Sequence, residues 1–134
     1  MLDAVSFVRA AAFAFFYAGI EYRYVNRKDA DWTRTMEGFF EKPALWKLSP
    51  YQLYLLLPVF VIVSYAPSLS AWAGNTLLVI FGEDILYFAW RGRWVAPGEW
   101  TTTLLGSFRV GRFVVPAWWI PAALGALALY LAPL

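Results

Sequence analysis

Glu83 and Asp84 stand side by side inside an apolar run from Ser70 to Trp90, and of all the residues in the chain they are the best suited to chemistry. Acids at bilayer depth cost on the order of a few kcal/mol unless they have partners or a task, so such residues mark functional sites. On a helix the two side chains leave about 100° apart, so both can border one polar crevice while only one points straight at a given neighbour. Tyr87 follows at i+4 from Glu83 and i+3 from Asp84, bringing a phenol within reach of either acid. Two carboxyl groups and a phenol can donate a proton, relay one or hold a cation, which makes Glu83, Asp84 and Tyr87 the catalytic candidates. Gly82, just before the pair, leaves room for a close helix or a ligand.

Four more residues extend the candidate ligand or ion site. Glu21 lies one turn beyond the stripe Ala10, Ala14, Ala18 on the same face, either as a third acid of the site or as an interfacial acid paired with Arg23 or Arg27. Arg91 closes the apolar run, and if it or Arg93 folds back, the acids become an ion-paired stitch between helices. Arg9 and Asn75 sit at similar depth near the other end of their segments, where Arg9 either snorkels outward or pairs with Asn75 or Asp3.

The chain has no cysteine and no histidine, which removes disulfides, thiol redox chemistry, Cys/His zinc sites, ordinary haem ligation and imidazole catalysis. There is no glycine-rich phosphate loop and no nucleophile elbow, and adjacent acids are poorly spaced for a magnesium site on one helix face. No cofactor and no metal is expected. A net charge of +2 is too small to call for a nucleic-acid partner. Thermolabile residues are scarce, as in thermophilic chains.

The segment Phe81-Gly82-Glu83-Asp84-Ile85-Leu86-Tyr87-Phe88 resembles the acidic span motif of the small carotenoid (lycopene) cyclases, in which paired acids precede aromatic residues. The likeness covers these eight residues, with Phe81 where the family has a proline. It implies acid/base chemistry on an isoprenoid without histidine or metal.

Positioning these residues is the work of a membrane fold. Of 134 residues 61% are hydrophobic, 20% aromatic and 15% charged, which is outside the soluble range and built for lipid. The expected architecture is an all-α integral membrane protein, one polytopic domain over residues 1–134. Its four transmembrane helices form a bundle, with spans at about 4–24, 50–65, 70–90 and 113–131. Between the first two, Trp32, Met36, Phe39 and Phe40 recur at helical spacing behind Asp29-Ala30-Asp31 and predict an interfacial amphipathic helix. Ser49-Pro50 starts the second span and Pro58 kinks it. Ala66-Pro67-Ser68 is a tight turn, with Ser68 or Ser70 capping the third span. Residues 97–112, with a threonine run, Gly106 and Gly111, read as an interfacial or loosely helical connector. Trp118-Trp119 and the other aromatics read as belt and packing.

Asp3 and Arg9 spoil a secretory signal, so the first segment is expected to remain. Six lysines and arginines fall between Arg23 and Lys47, none between Ala66 and Ser70, and four between Arg91 and Arg112. The positive-inside rule then gives a multi-pass cell-membrane protein with both basic loops cytoplasmic and both termini outside. Its partners are the lipid bilayer and a homo-oligomer or larger membrane complex. Ranked first is proton or cation handling, or small-molecule binding or transport, at Glu83/Asp84. An accessory subunit of a membrane complex comes second. A cofactor-free intramembrane enzyme acting on an isoprenoid or lipid comes third, so the reading leans away from an enzyme.

Overall fold

A computed structural model describes residues 2–25, 37–40 and 42–133. Helix α1 (Ala4–Ile20) begins where the Asp3 carboxylate accepts the Ser6 amide at 2.8 Å, and it continues as a π-helical turn, Glu21–Val25. Helix α2 (Glu37–Phe40) is one turn that sets Phe39 and Phe40 against Tyr51. The remainder of the expected amphipathic helix, including Trp32 and Met36, lies outside the described residues.

Ser49 and Gln52 cap the next segment reciprocally: Ser49 Oγ accepts the Gln52 amide at 3.3 Å and Gln52 Oε1 accepts the Ser49 amide at 3.0 Å. The segment opens as a π-helix, Tyr51–Leu56, and becomes helix α3 (Leu57–Val63). The change falls at Pro58, which has no N–H to continue the earlier ladder. Helix α4 (Leu69–Arg91, 23 residues) is capped by Ser68, whose hydroxyl accepts the Ala71 amide at 3.2 Å. It ends at Gly92, whose φ of +73° turns the chain out of the helix.

The connector is not an irregular helix. Helix α5 (Trp100–Thr103) is a single turn that follows Glu99, and then strands β1 (Ser107–Val110) and β2 (Phe113–Pro116) form an antiparallel hairpin. Val110 faces Phe113 across Gly111-Arg112, and Gly111 takes the positive φ that a tight two-residue turn demands of its first residue. Glycine weakens a helix and serves a hairpin, so the same signal supports opposite structures. The last helix, α6 (Trp119–Leu131), therefore starts six residues later than expected, its predicted first residues being strand.

Helix α4 is the axis, packing along α1 on one side and α6 on the other. Ala10, Ala14 and Ala18 are buried, as the stripe predicted, and let α1 approach closely. Two glycines serve the same end: a Cβ on Gly19 would meet the Trp90 indole at 2.8 Å, and one on Gly74 would meet the Tyr130 ring at 2.8 Å. Asn75, fully buried, ties four segments together. Its amide nitrogen donates to Ser6 Oγ at 3.0 Å and to the Ser64 carbonyl at 3.1 Å, and its oxygen accepts from the Tyr130 hydroxyl at 2.9 Å.

The chain is thus mostly helical. Among the described helices, Ala4–Val25 is long and apolar enough to cross a membrane. Helix α4 is as long, but Asn75, Gly82, Glu83 and Asp84 make it less apolar. The segments Tyr51–Val63 and Trp119–Leu131 are apolar and shorter, each rising roughly 20 Å.

Candidate functional site: a carboxylate-walled cavity

The lengths of the helices create the site. Helices α1 and α4 pack along each other, whereas α6 begins only at Trp119, beside Phe88 near the end of α4. Loop residues 43–49 and the α5 turn cover the space left between them, and a cavity of about 840 Å3 remains. Glu21, Glu83, Asp84 and Tyr87 all line it, together with apolar side chains such as Leu56, Phe60, Ile80 and Leu104. Both π-helical segments border it, contributing Glu21 and Val25 from one and Tyr51, Gln52 and Leu56 from the other. Extra residues in a helical turn re-aim side chains, and such turns concentrate at functional sites.

The two adjacent acids have different surroundings. Asp84 Oδ2 accepts the Thr101 hydroxyl at 2.6 Å and the Trp119 indole N–H at 2.7 Å. Trp118 donates its indole N–H to the same Thr101 oxygen at 2.9 Å, so α4, α5 and the start of α6 are laced through one carboxylate. Glu83 is 5% exposed, and its Oε1 is buried with no hydrogen-bond partner. Buried polar atoms are almost always satisfied, so an acid oxygen with no protein partner on a cavity wall marks a candidate site.

Across the cavity the Tyr51 hydroxyl donates to Glu21 Oε2 at 3.2 Å and hydrogen-bonds the Tyr17 hydroxyl. Phe13, Phe40 and Phe60 pack around these phenols and fix their rings. Tyr87 stands edge-on to Tyr22 and Phe88. It lines the site as expected, yet Glu83 Oε1 receives no bond from it.

Among the described residues, the cations that line the cavity bond elsewhere than to the acid pair. Arg91 donates through both terminal nitrogens to Glu99, the second at 3.1 Å, and also to the carbonyls of Arg93 and Trp94 at 3.2 and 3.0 Å. Its guanidinium lies over the Phe88 ring, 4.6 Å from the centroid. The hydrogen bonds from Arg91 hold the Glu99 carboxyl below the usual glutamate range. Glu99 also accepts the Ala96 amide at 2.6 Å, so this ion pair fixes the turn that precedes α5. Lys47 donates to the Thr103 carbonyl and lies over the Trp46 ring, while Trp100 donates back to the Lys47 carbonyl at 2.9 Å.

Arg9 and Asn75 belong to the opposite end and do not pair. Arg9 donates to the carbonyls of Val63, at 3.2 Å, and Tyr65, satisfying the exposed end of α3, while Asn75 makes the four-segment junction. Thr101, Tyr17 and Tyr51 are not among the residues expected at the site, and Trp118 and Trp119, expected as belt and packing, instead donate to Thr101 and Asp84. The available signal was general: a buried indole or phenol needs a hydrogen-bond partner, and acids in apolar surroundings are the natural acceptors.

Comparison with protein families, with curated proteins and with solved structures finds no match to this chain.

Proposed function

We propose that the chain is a multi-pass membrane protein whose four helical segments hold a small-molecule, proton or cation site centred on Glu83. The outward residues support immersion in lipid: Val5, Val8, Phe16, Ile62, Leu124 and Leu131 are exposed along the helices, apolar side chains of the kind that face lipid. The two short segments are compatible with spanning, because irregular backbone at membrane depth is tolerated where it lines a cavity, and loop 43–49 and the α5 turn do so. Basic residues cluster in the loops at the cavity end, so in this reading the cavity opens to the cytoplasm and the Ala66–Ser68 turn faces outward.

The observation that carries the assignment is the buried, unpartnered Glu83 Oε1 on the wall of the cavity. A carboxylate there stays uncompensated until a proton or cation arrives, which makes Glu83 the exchanging group and Asp84 the fixed one. The same division of labour supports a second reading as an intramembrane enzyme, with Glu83 transferring the proton and Asp84 supplying fixed charge to a lipid-soluble substrate. A docking role gains less support, since the alanine stripe of α1 is occupied within the chain. The test compares wild type, Glu83→Gln and Asp84→Asn for proton or cation flux in liposomes and for equilibrium binding in detergent. The reading requires activity that Glu83→Gln abolishes. It fails if wild type shows neither activity, or if Glu83→Gln retains both.

A further inference from the structure

We infer that the ligand of this cavity is a lipophilic organic cation, an amine or onium group carried on an apolar body; this rests on the binding reading above and narrows it. Four observations converge. The cavity is of the size that takes a whole organic molecule, well beyond a bare ion. Its lining includes the aromatic residues Phe60, Tyr87 and Trp118, side chains of the type that hold organic cations. Glu83 presents an unpartnered buried oxygen to it, with the charge of Asp84 on the next residue. The two cations among the described lining residues are turned to other tasks: Arg91 to Glu99 and two carbonyls, and Lys47 to Thr103. Among the described lining residues, an anionic ligand would therefore meet carboxylates and no cation free of another partner. A metal ion would find no cage, because among the described residues no three acids converge tightly enough to hold one.

A cation with an apolar body satisfies every wall at once. Its charge ends the isolation of Glu83, its periphery covers the aliphatic and aromatic lining, and it reaches the site from lipid or from the loop end. Asp84, already bonded to Thr101 and Trp119, adds field without moving.

The test uses the full-length protein in detergent and three probes of similar size and different charge: tetraphenylphosphonium, tetraphenylborate and neutral triphenylphosphine oxide. Binding is read by equilibrium dialysis. Saturable tetraphenylphosphonium binding is expected, with tetraphenylborate not retained and Glu83→Gln weakening the cation by about tenfold or more. The cavity-filling variant Leu104→Trp should block it as well, and its thermal transition shows whether it is folded. Tetraphenylborate or the neutral probe binding as tightly as the cation, with sensitivity to Leu104→Trp, overturns the cation assignment while leaving a binding cavity. Cation binding unchanged in Glu83→Gln overturns it too. If none of the three probes binds, the cavity reading and the cation assignment fall together.

Discussion

Thr101 places its hydroxyl 2.6 Å from Asp84 Oδ2, and this contact joins a single turn of helix to the middle of the central helix across seventeen residues of chain. It also separates two acids that are neighbours in sequence. Asp84 is tied into the Thr101, Trp118 and Trp119 network, leaving Glu83 as the member of the pair that faces the cavity without a bond to Oε1. The consequences can be checked one residue at a time.

Removing the Asp84 acceptor should cost stability more than binding specificity. In Asp84→Leu two buried donors lose their partner, and each stranded donor costs about 1–3 kcal/mol. Thermal unfolding in detergent should fall clearly below wild type, and Trp119→Phe, which removes one donor, should show a smaller loss. Equal, negligible losses in both would mean the network does not hold α5 and α6 to α4.

Asn75→Leu tests the junction at the opposite end. It deletes the bonds to Ser6, Ser64 and Tyr130, and since interhelical hydrogen bonds in membranes average about 0.6 kcal/mol each, a loss of about 2 kcal/mol is expected. The measurement is the equilibrium unfolding midpoint in mixed micelles. Ligand binding at the distant cavity should change little in the folded fraction.

Gly74→Val probes close packing. Its Cβ would lie 2.8 Å from Tyr130 Cε1, so the ring must shift and take its hydroxyl off Asn75. Overpacking of this kind costs about 1–3 kcal/mol, and Gly82→Ala, where a Cβ meets nothing within 4 Å, is the matched control expected to be near neutral.

The pH response of the loop end follows from the Arg91–Glu99 pair. Arg91 lowers the folded-state pKa of Glu99 below its unfolded value, so the stabilisation is fully present above the ordinary glutamate range. It is lost as pH falls through the lower, folded-state value. The pair is partly exposed and screened by solvent, so the contribution stays under about 1 kcal/mol. Comparing the acid limb of the stability profile for wild type and Glu99→Gln checks this: the variant should lack that increment of pH dependence.

Membrane orientation is open to single-cysteine labelling because the chain contains no cysteine of its own. In intact cells, Pro67→Cys should react with an impermeant maleimide and Pro97→Cys only after the membrane is opened. Labelling of both from one side would refute the four-span arrangement.

Much of the site could be read from sequence where a residue's type dictated its surroundings. The alanine stripe of α1, the Ser68 cap and the inward placement of Glu21, Glu83 and Tyr87 follow from helical spacing and the cost of polar groups in apolar runs. Other features depend on long-range partners. The hairpin at Ser107–Pro116 hid behind glycines and threonines that equally describe a loose helix, and the late start of α6 followed from it. Arg91 was a plausible partner for the acids until Glu99, eight residues on, offered a bidentate carboxylate nearer its own end of the helix. Asn75 looked like the mate of Arg9 because depth was the visible coordinate; rotation about the helix, which decides contact, turned it to Tyr130 instead.

The most direct test of the central claim is to map the reaction of the folded protein with a lipophilic carbodiimide, which attacks carboxylic acids in apolar surroundings, by mass spectrometry of peptides covering Leu69–Arg91. Modification of Glu83, absent in Glu83→Gln and slowed by filling the cavity with Leu104→Trp, is the result predicted. Modification of Asp84 with Glu83 untouched, or no reaction in this helix, would contradict the assignment of Glu83 as the exchangeable acid of the cavity.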